Sequence, residues 1–300
     1  MAVQHFLTLD DLSADILQQL IDRAIELKAM TKQGAIYQPL KNKTLAMIFS
    51  KSSTRTRISF DVGMRQLGGG SIILSPNDTQ IGRGEPIEDT AKVVSSMTDG
   101  IMIRTDSHEK VEILAENSSV PVINGLTDDY HPCQLLADMQ TFQELRGSAK
   151  GATFAWIGDG NNVCHSFMNA ARLFGFNLKI ATPKGYEPDA SICKQNAEHI
   201  SLMNDPKEAT ELADVVVTDT WASMGQEQEK GSRENDFDGY CVDQPLMKIA
   251  KPDAVFLHCL PAYRGMEVSA DVIDGPQSAV FQEAENRLHA QKALLELLLS

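Results

Sequence analysis

The apolar pattern of this chain switches repeatedly between short continuous runs and stretches with apolar residues three to four apart. Thr44-Leu45-Ala46-Met47-Ile48-Phe49 is a continuous run, short enough for a strand buried on both faces. Residues 13–31 instead place Ile16, Leu17, Leu20, Ile21, Ala24 and Leu27 on one helical face, with Ser13 positioned as N-cap. Phe60, Met64 and Leu67 share a face of a second helix near 54–67, which Gly68-Gly69-Gly70 stops. Further strands are expected at Ile72-Ile73-Leu74, Ile101-Met102-Ile103 and Pro121-Val122-Ile123. Helices are expected from Pro86 to about Met97, near 108–116, and from about Cys133 to Leu145. The rhythm then restarts, with strands at Thr153–Ile157, Leu178–Ala181, Asp214–Thr218 and Ala254–Leu257. Between them lie helical stretches near 162–174, 189–201 and 206–212, and a long amphipathic helix closes the chain at about 282–299.

Alternation of this kind predicts parallel sheets covered by helices, as two doubly wound α/β domains. The expected division is 1–148 and 149–281, at Arg146-Gly147-Ser148, with the last helix (about 282–300) returning to the first domain. Such a return makes a cleft between the domains the expected ligand site. Three hundred residues at 42% hydrophobic composition suffice for two cores.

Charge narrows the partners. A formal net charge of −14 argues against nucleic acid or an anionic membrane surface. No stretch approaches the roughly 20 apolar residues of a membrane span, and the N-terminus has neither a basic nor a long apolar region. Five cysteines, at 133, 164, 193, 241 and 259, form no CxxC, so reduced thiols in a cytoplasmic protein are expected.

Against that acidic background, Ser52-Ser53-Thr54-Arg55-Thr56-Arg57 concentrates hydroxyls and two arginines where a strand turns into a helix. Unpaired helix N–H groups and the helix dipole favour an anion there, and arginine grips oxygens in a fork. An ordinary capped helix with two surface arginines is the simpler alternative. Other polar groups fall at carboxyl ends of expected strands, where open α/β sheets bind ligands. These are Arg104, His131-Pro132-Cys133-Gln134, Gly158-Asp159-Gly160-Asn161-Asn162, Asp219-Thr220-Trp221 and His258-Cys259-Leu260-Pro261. The glycine pair is not a dinucleotide fingerprint: Val163 replaces the third glycine, and Lys179-Ile180-Ala181-Thr182 lacks the acidic ribose ligand. His131, Cys133, His258 and Cys259 lack compact zinc spacing. Cys259 has no evident base, since on a strand His258 would point to the opposite face.

Taken together and in order, Ser53-Thr54-Arg55-Thr56-Arg57, Arg104, His131-Pro132-Cys133-Gln134, Asp219-Thr220-Trp221-Ala222-Ser223-Met224-Gly225, His258-Cys259-Leu260-Pro261 and Glu283-Ala284-Glu285-Asn286-Arg287 resemble the carbamoyltransferase family, and within it the ornithine carbamoyltransferases. The likeness spans essentially the whole chain. The first three motifs are general to carbamoyltransferases. The Trp221-Ala222-Ser223-Met224-Gly225 segment and His258-Cys259-Leu260-Pro261 mark the ornithine branch. The aspartate branch has proline where Cys259 stands and a lysine in the loop that here reads Gln80–Glu85. The branch acting on acylated ornithines carries a proline-rich insertion, whereas residues 140–220 hold only Pro183, Pro188 and Pro206.

The resemblance implies transfer of the carbamoyl group of carbamoyl phosphate to the δ-amine of L-ornithine, giving L-citrulline and phosphate, as in arginine metabolism. A different acceptor amine, such as putrescine, is the alternative. It implies that Ser53, Thr54, Arg55 and Thr56 hold the phosphate, with Gln80 reaching in from a neighbouring subunit of a trimer. Arg104, His131 and Thr56 would polarise the carbonyl. Gln134, the backbone at Cys259 and Leu260, and Arg287 would hold the carbamoyl nitrogen. Asn162, Asp219, Ser223 and Met224 would bind the α-carbon end of ornithine, with Cys259 facing the δ-amine. No metal or organic cofactor is implied, because a neutral amine attacks an activated carbonyl directly.

Overall fold

The computed structural model describes residues 3–75, 84–222 and 230–300. The chain divides into two compact units, Met1–Gln140 with Glu285–Ser300, and Thr141–Ala284. The divisions fall inside two helices, where the sequence pointed to positions near 148 and 282.

In unit 1, Ser13 caps α1 (Ala14–Lys32) by accepting from the Ile16 amide at 3.3 Å. β1 (Thr44–Phe49), buried from Leu45 onward, leads into α2 (Thr54–Gln66) and β2 (Gly70–Leu74). α3 (Ile87–Ser95), β3 (Gly100–Arg104), α4 (His108–Glu116), β4 (Val122–Leu126) and α5 (Pro132–Arg146) follow. All pairings are parallel, in the order β2-β1-β3-β4. The chain moves outward from β1 to β2 and then returns to the other side of β1 for β3. The strand order therefore reverses between β1 and β3, which lie side by side with Phe49 opposite Arg104. Ala46, Ile48, Ile101, Ile103, Val111 and Leu114 build one core of this unit.

Unit 2 repeats the scheme with β5 (Thr153–Ile157), α6 (Asn162–Phe174), β6 (Asn177–Ala181), α7 (Ala190–Gln195) and β7 (Ile200–Met203). α8 (Pro206–Thr210), β8 (Val215–Val217), α9 (Lys230–Asp236), α10 (Gln244–Met247), β9 (Val255–Leu257), α11 (Ala270–Ile273) and α12 (Val280–Leu299) complete the chain. The parallel order β7-β6-β5-β8-β9 reverses between β5 and β8. Phe154, Trp156, Phe167 and Phe176 pack under α6, with Phe154 stacked on Phe176 at 4.2 Å and Trp156 5.7 Å from Phe167. Such aromatic pairs each add about 0.5–1.5 kcal/mol beyond their buried area.

The helix expected over 189–201 is a correction. α7 stops at Gln195, because the buried Asn196 side chain donates to Asn169 Oδ1 and to the Ile192 backbone carbonyl instead of continuing the turn. Ile200–Met203 becomes an edge strand, too short for its alternation to register in the sequence.

Gly160 is required by a close approach. A Cβ there would lie 2.3 Å from the Pro188 nitrogen. The backbone at Glu187 and Pro188 lies directly against this position, so packing accounts for this glycine. Among the described residues, no helix is long and apolar enough to cross a membrane.

Candidate active site

The reversal point of each sheet gathers polar side chains at strand carboxyl ends, where open α/β sheets present ligands. In unit 1, β1 feeds the N-terminus of α2. Ser53 occupies the N-cap position with extended backbone but makes no capping bond through its side chain. The ordinary-cap alternative therefore loses its main support, since this hydroxyl is not spent on the helix. Thr54 is exposed, Arg55 half-buried and Thr56 buried.

Thr56 is the centre of the cluster. Arg104, at the end of β3, donates from Nη1 to Thr56 Oγ1 at 3.3 Å, and Arg287 on α12 donates from Nη2 to the same oxygen at 3.2 Å. A hydroxyl that accepts from two guanidinium groups directs its own proton elsewhere. Arg287 also donates from Nη1 to Gln134 Oε1 at 2.7 Å, and Gln134 Nε2 donates to Asp138 Oδ1 at 2.8 Å. Arg287 is placed by the docking of α12 on unit 1. Its neighbour Asn286 accepts from Lys28 Nζ at 2.7 Å and from Gln140 Nε2 at 3.1 Å, all three groups buried. Further along, Glu296 pairs with Arg23 at 2.8 Å.

His131 immediately precedes α5 and is 4% exposed. Burial, then the positive charges of Arg287, Arg104 and Arg55, hold its pKa well below the usual histidine value. Its imidazole is therefore neutral at neutral pH and can offer an N–H to a carbonyl without carrying charge. Burial pushes the Cys133 thiol up to about 12, and its Sγ donates to the Asn124 carbonyl at 3.3 Å. That cysteine is structural.

A stability consequence follows from His131. Its proton is bound more weakly in the folded than in the unfolded chain, so its contribution is full above the unfolded value of about 6.5 and lost as pH falls below it. His131→Gln removes the titrating group. Relative to the unsubstituted protein, the variant gains stability from pH 7.5 to pH 5.5 in urea unfolding. An unchanged difference between the two proteins across that range would mean His131 titrates normally.

In unit 2, β5 and β8 carry Asn161, Asn162 and Asp219 at adjacent ends. Asp219 accepts from Asn161 Nδ2 at 2.9 Å, from the Thr220 amide at 2.8 Å and from Cys259 Sγ at 3.1 Å. Asn161 simultaneously caps α6 through Oδ1, receiving the amides of Val163 and Cys164. Asn162 is the first residue of α6 and is buried. Arg233 bridges the two ends, donating to Asp159 Oδ2 at 2.9 Å and to the Trp221 carbonyl at 2.6 Å.

His258 and Cys259 do not point to opposite faces as a strand would require. β9 ends at Leu257, and ligand atoms of Asp219, His258 and Cys259 all lie within 4.8 Å of one another. These donors are already committed to protein partners. His258 Nδ1 accepts from the Leu260 amide at 2.9 Å, Nε2 faces Glu267 at 3.2 Å, and the His258 amide donates to Glu283 at 3.0 Å. The histidine thus fixes the backbone at Leu260, which has φ +55°.

Residues 4–144 match the carbamoyl phosphate-binding domain of aspartate/ornithine carbamoyltransferases, and residues 150–298 match their aspartate/ornithine-binding domain. The chain belongs to the aspartate/ornithine carbamoyltransferase family. It is 62% identical over 300 residues to the ornithine carbamoyltransferase of Hydrogenovibrio crunogenus, covering 100% of this chain and 99% of that protein. The relative from Nitrosococcus oceani is also 62% identical, with 100% and 98% covered. Among solved structures, the ornithine carbamoyltransferase from Pyrococcus furiosus aligns with a TM-score of 0.96 at 49% identity, covering 99% of this chain and 97% of that one. That from Burkholderia thailandensis gives 0.93 at 49% identity, with 99% of both chains covered.

The structure thus brings Thr56, Arg104, Gln134 and Arg287 into one hydrogen-bonded cluster, with His131 in the field of its arginines. It joins Asp219 to Cys259. Gln80, Ser223 and Met224 lie outside the described residues. Sequence reasoning named Asn161 in the turn after β5 without giving it a role, and missed Asp138, Arg233 and Glu267. These three act on residues elsewhere in the sequence or, for Asp138, one helical turn away, and nothing in their local pattern marks them.

Proposed function

We propose that this chain transfers the carbamoyl group of carbamoyl phosphate to the δ-amine of L-ornithine, releasing L-citrulline and phosphate. The observation that carries the reading is the convergence of Arg104 and Arg287 on the Thr56 hydroxyl, beside a neutral His131. The full-length likeness to ornithine carbamoyltransferases supports it.

The phosphate sits at the start of α2, with Ser53, Thr54, Arg55 and Thr56 supplying hydroxyl, amide and guanidinium donors. The Thr56 hydroxyl, Arg104 and a His131 N–H point at the carbamoyl oxygen, while the Gln134 carbonyl accepts from the carbamoyl nitrogen. A neutral amine attacks the carbonyl carbon, forming the C–N bond and moving a π-electron pair onto oxygen. The oxyanion collapses, the bond from carbon to the phosphate oxygen breaks, and the amine proton leaves with phosphate. Fixed donors stabilise the charge as it develops, typically contributing a few kcal/mol for each donor. Asn162 and Asp219, with Ser223 and Met224, hold the α-carbon end of ornithine, and Cys259 faces its amine. The direct test is citrulline formation by purified protein given carbamoyl phosphate and L-ornithine. Phosphate release without citrulline would overturn the acceptor assignment, and no release at all would overturn the reaction.

The active species in this reading is a cytoplasmic homotrimer in which Gln80 completes a neighbour's phosphate site. Exposed apolar side chains on unit 1 support association: Ile58 on α2, Ile72 on the edge strand β2, and Met97 after α3, the last 77% exposed. Sedimentation at assay concentration gives about three times the 32.9 kDa chain mass for a closed three-fold ring. A fully active monomer contradicts the shared site.

A further inference from the structure

We propose that Glu267 is a positioning residue of the acceptor site: it fixes the tautomer of His258, and His258 holds the Cys259–Leu260 turn that carries a thiol to Asp219. The inference rests on the reading of Asp219 and Cys259 as side chains that face ornithine. Glu267 and His258 are each 0% exposed, and neither touches substrate in the mechanism above.

Hydrogen-bond direction places the proton of the ring. The Leu260 backbone N–H can only donate, and it meets His258 Nδ1 at 2.9 Å. Nδ1 is therefore the bare nitrogen, so the ring is neutral and its single proton sits on Nε2. That proton faces Glu267 Oε1 at 3.2 Å. The same oxygen accepts from the Tyr263 amide, while Oε2 has no hydrogen-bond partner among the described residues. Oε1 accepts in this arrangement whether or not Oε2 carries a proton, so the pairing does not depend on the charge of the carboxyl group.

Both ring nitrogens are thus spent on the protein. The imidazole has no nitrogen left to take a proton from an amine, and its work is to hold the turn. Leu260 has φ +55°, a conformation that L side chains rarely adopt and that persists only where neighbours impose it. The Nδ1 contact is one such hold. The His258 amide supplies another, donating to Glu283 Oε2 at 3.0 Å. Glu267 is itself anchored, its backbone carbonyl accepting from the Val242 amide at 2.9 Å. Between these fixed points lies Cys259, whose Sγ donates to Asp219 Oδ1 at 3.1 Å. In the Nδ1–H tautomer the ring would set N–H against the Leu260 N–H, and the turn that aims the thiol would open.

The test separates an acceptor oxygen from a charge. Glu267→Gln keeps an oxygen for both donors and removes the carboxyl group, whereas Glu267→Leu removes both oxygens at similar size. We measure kcat and KM for ornithine at saturating carbamoyl phosphate in both variants and the unsubstituted enzyme. The His258 tautomer is read from the nitrogen NMR shifts of isotope-labelled histidine. The unsubstituted enzyme and Glu267→Gln show the Nε2–H tautomer and agree in kcat/KM within about twofold. Glu267→Leu loses the single tautomer and lowers kcat/KM about tenfold or more, the worth of one displaced hydrogen bond. An Nδ1–H tautomer in the unsubstituted protein overturns the proposal. So does a tenfold loss in Glu267→Gln, which would make the charge the essential feature. A merely structural role lowers the urea midpoint of Glu267→Leu and leaves kcat/KM of the folded variant unchanged, and that result also overturns it. Should Glu267→Leu not fold, Glu267→Asp takes its place: the carboxyl group stays but is withdrawn from Nε2, and the same tenfold fall is expected. No citrulline from the unsubstituted protein overturns the reaction and the role of Glu267 together, whereas normal turnover in Glu267→Leu or Glu267→Asp overturns that role alone.

Discussion

Ornithine is carbamoylated with a kcat/KM roughly 10²- to 10⁴-fold above that for putrescine, the span of two lost hydrogen bonds to charged groups at about 1.5–3 kcal/mol each. Both acceptors present a terminal primary amine. Putrescine lacks the α-carboxylate and carries its second amine on an unsubstituted carbon. The proposal assigns that end to Asp219, whose two oxygens Asn161, the Thr220 amide and Cys259 Sγ hold at 2.8–3.1 Å. A carboxylate fixed at three points does not follow a misplaced amine, and a site built for a polar group strongly disfavours an analogue lacking it. The measurement compares both acceptors at saturating carbamoyl phosphate, then repeats the comparison with Asp219→Asn. The substitution lowers the ornithine value far more than the putrescine value and so compresses the ratio. Equal losses for both acceptors would place Asp219 at the reacting amine instead, and a preference for putrescine in the unsubstituted enzyme would identify that amine as the substrate.

Arg104→Ala lowers turnover at saturating substrates by roughly 10²-fold or more, the usual effect of removing an oxyanion donor. Two things depend on this side chain. In the proposed mechanism its guanidinium stabilises the negative oxygen as the amine adds, and its bond to Thr56 Oγ1 helps aim the threonine proton at that oxygen. Because the group acts on charge that develops during the reaction, kcat falls more than binding weakens. Removing one arginine also relieves part of the positive field on His131, whose pKa rises toward the ordinary value. Near-normal turnover in a folded Arg104→Ala enzyme would mean that the reacting carbonyl lies elsewhere.

A positive field from three arginines suits two needs in succession. In the proposed mechanism it holds a dianionic leaving group, and it adds to burial in keeping His131 neutral, so that the imidazole donates a hydrogen bond without being consumed as a permanent acid. The field comes from β3, α2 and α12, elements far apart in the sequence. Only folding brings it to one place.

Much of this was legible from one dimension. The run Thr44–Phe49, the hydroxyl-rich turn after it and the three-to-four spacing in α2 specify strand, anion-binding turn and helix from local rules alone. Parallel strands buried on both faces read as continuous apolar runs, and short side chains before a helix read as its start. The same reasoning flagged Arg104, His131, Asp219 and His258, because each follows such a run at a strand's carboxyl end. Local rules failed where a competing long-range contact decided the outcome. Asn196 ended α7 by bonding Asn169 on another helix, and Ile200–Met203 then paired with β6.

The sequence by itself determined the alternation of elements, the acidic character of the chain and the chemical inventory at the strand ends. Tertiary structure decided what that inventory can do. Strand order, which no local pattern encodes, put β1 beside β3 and β5 beside β8, so that separate motifs became neighbours. The docking of α12 carried Arg287 to within 3.2 Å of Thr56, across 231 positions of sequence. Burial, with the charges of three nearby arginines, then set His131 neutral. Those outcomes depend on distances, dielectric and hydrogen-bond direction, and these exist only once the chain has folded.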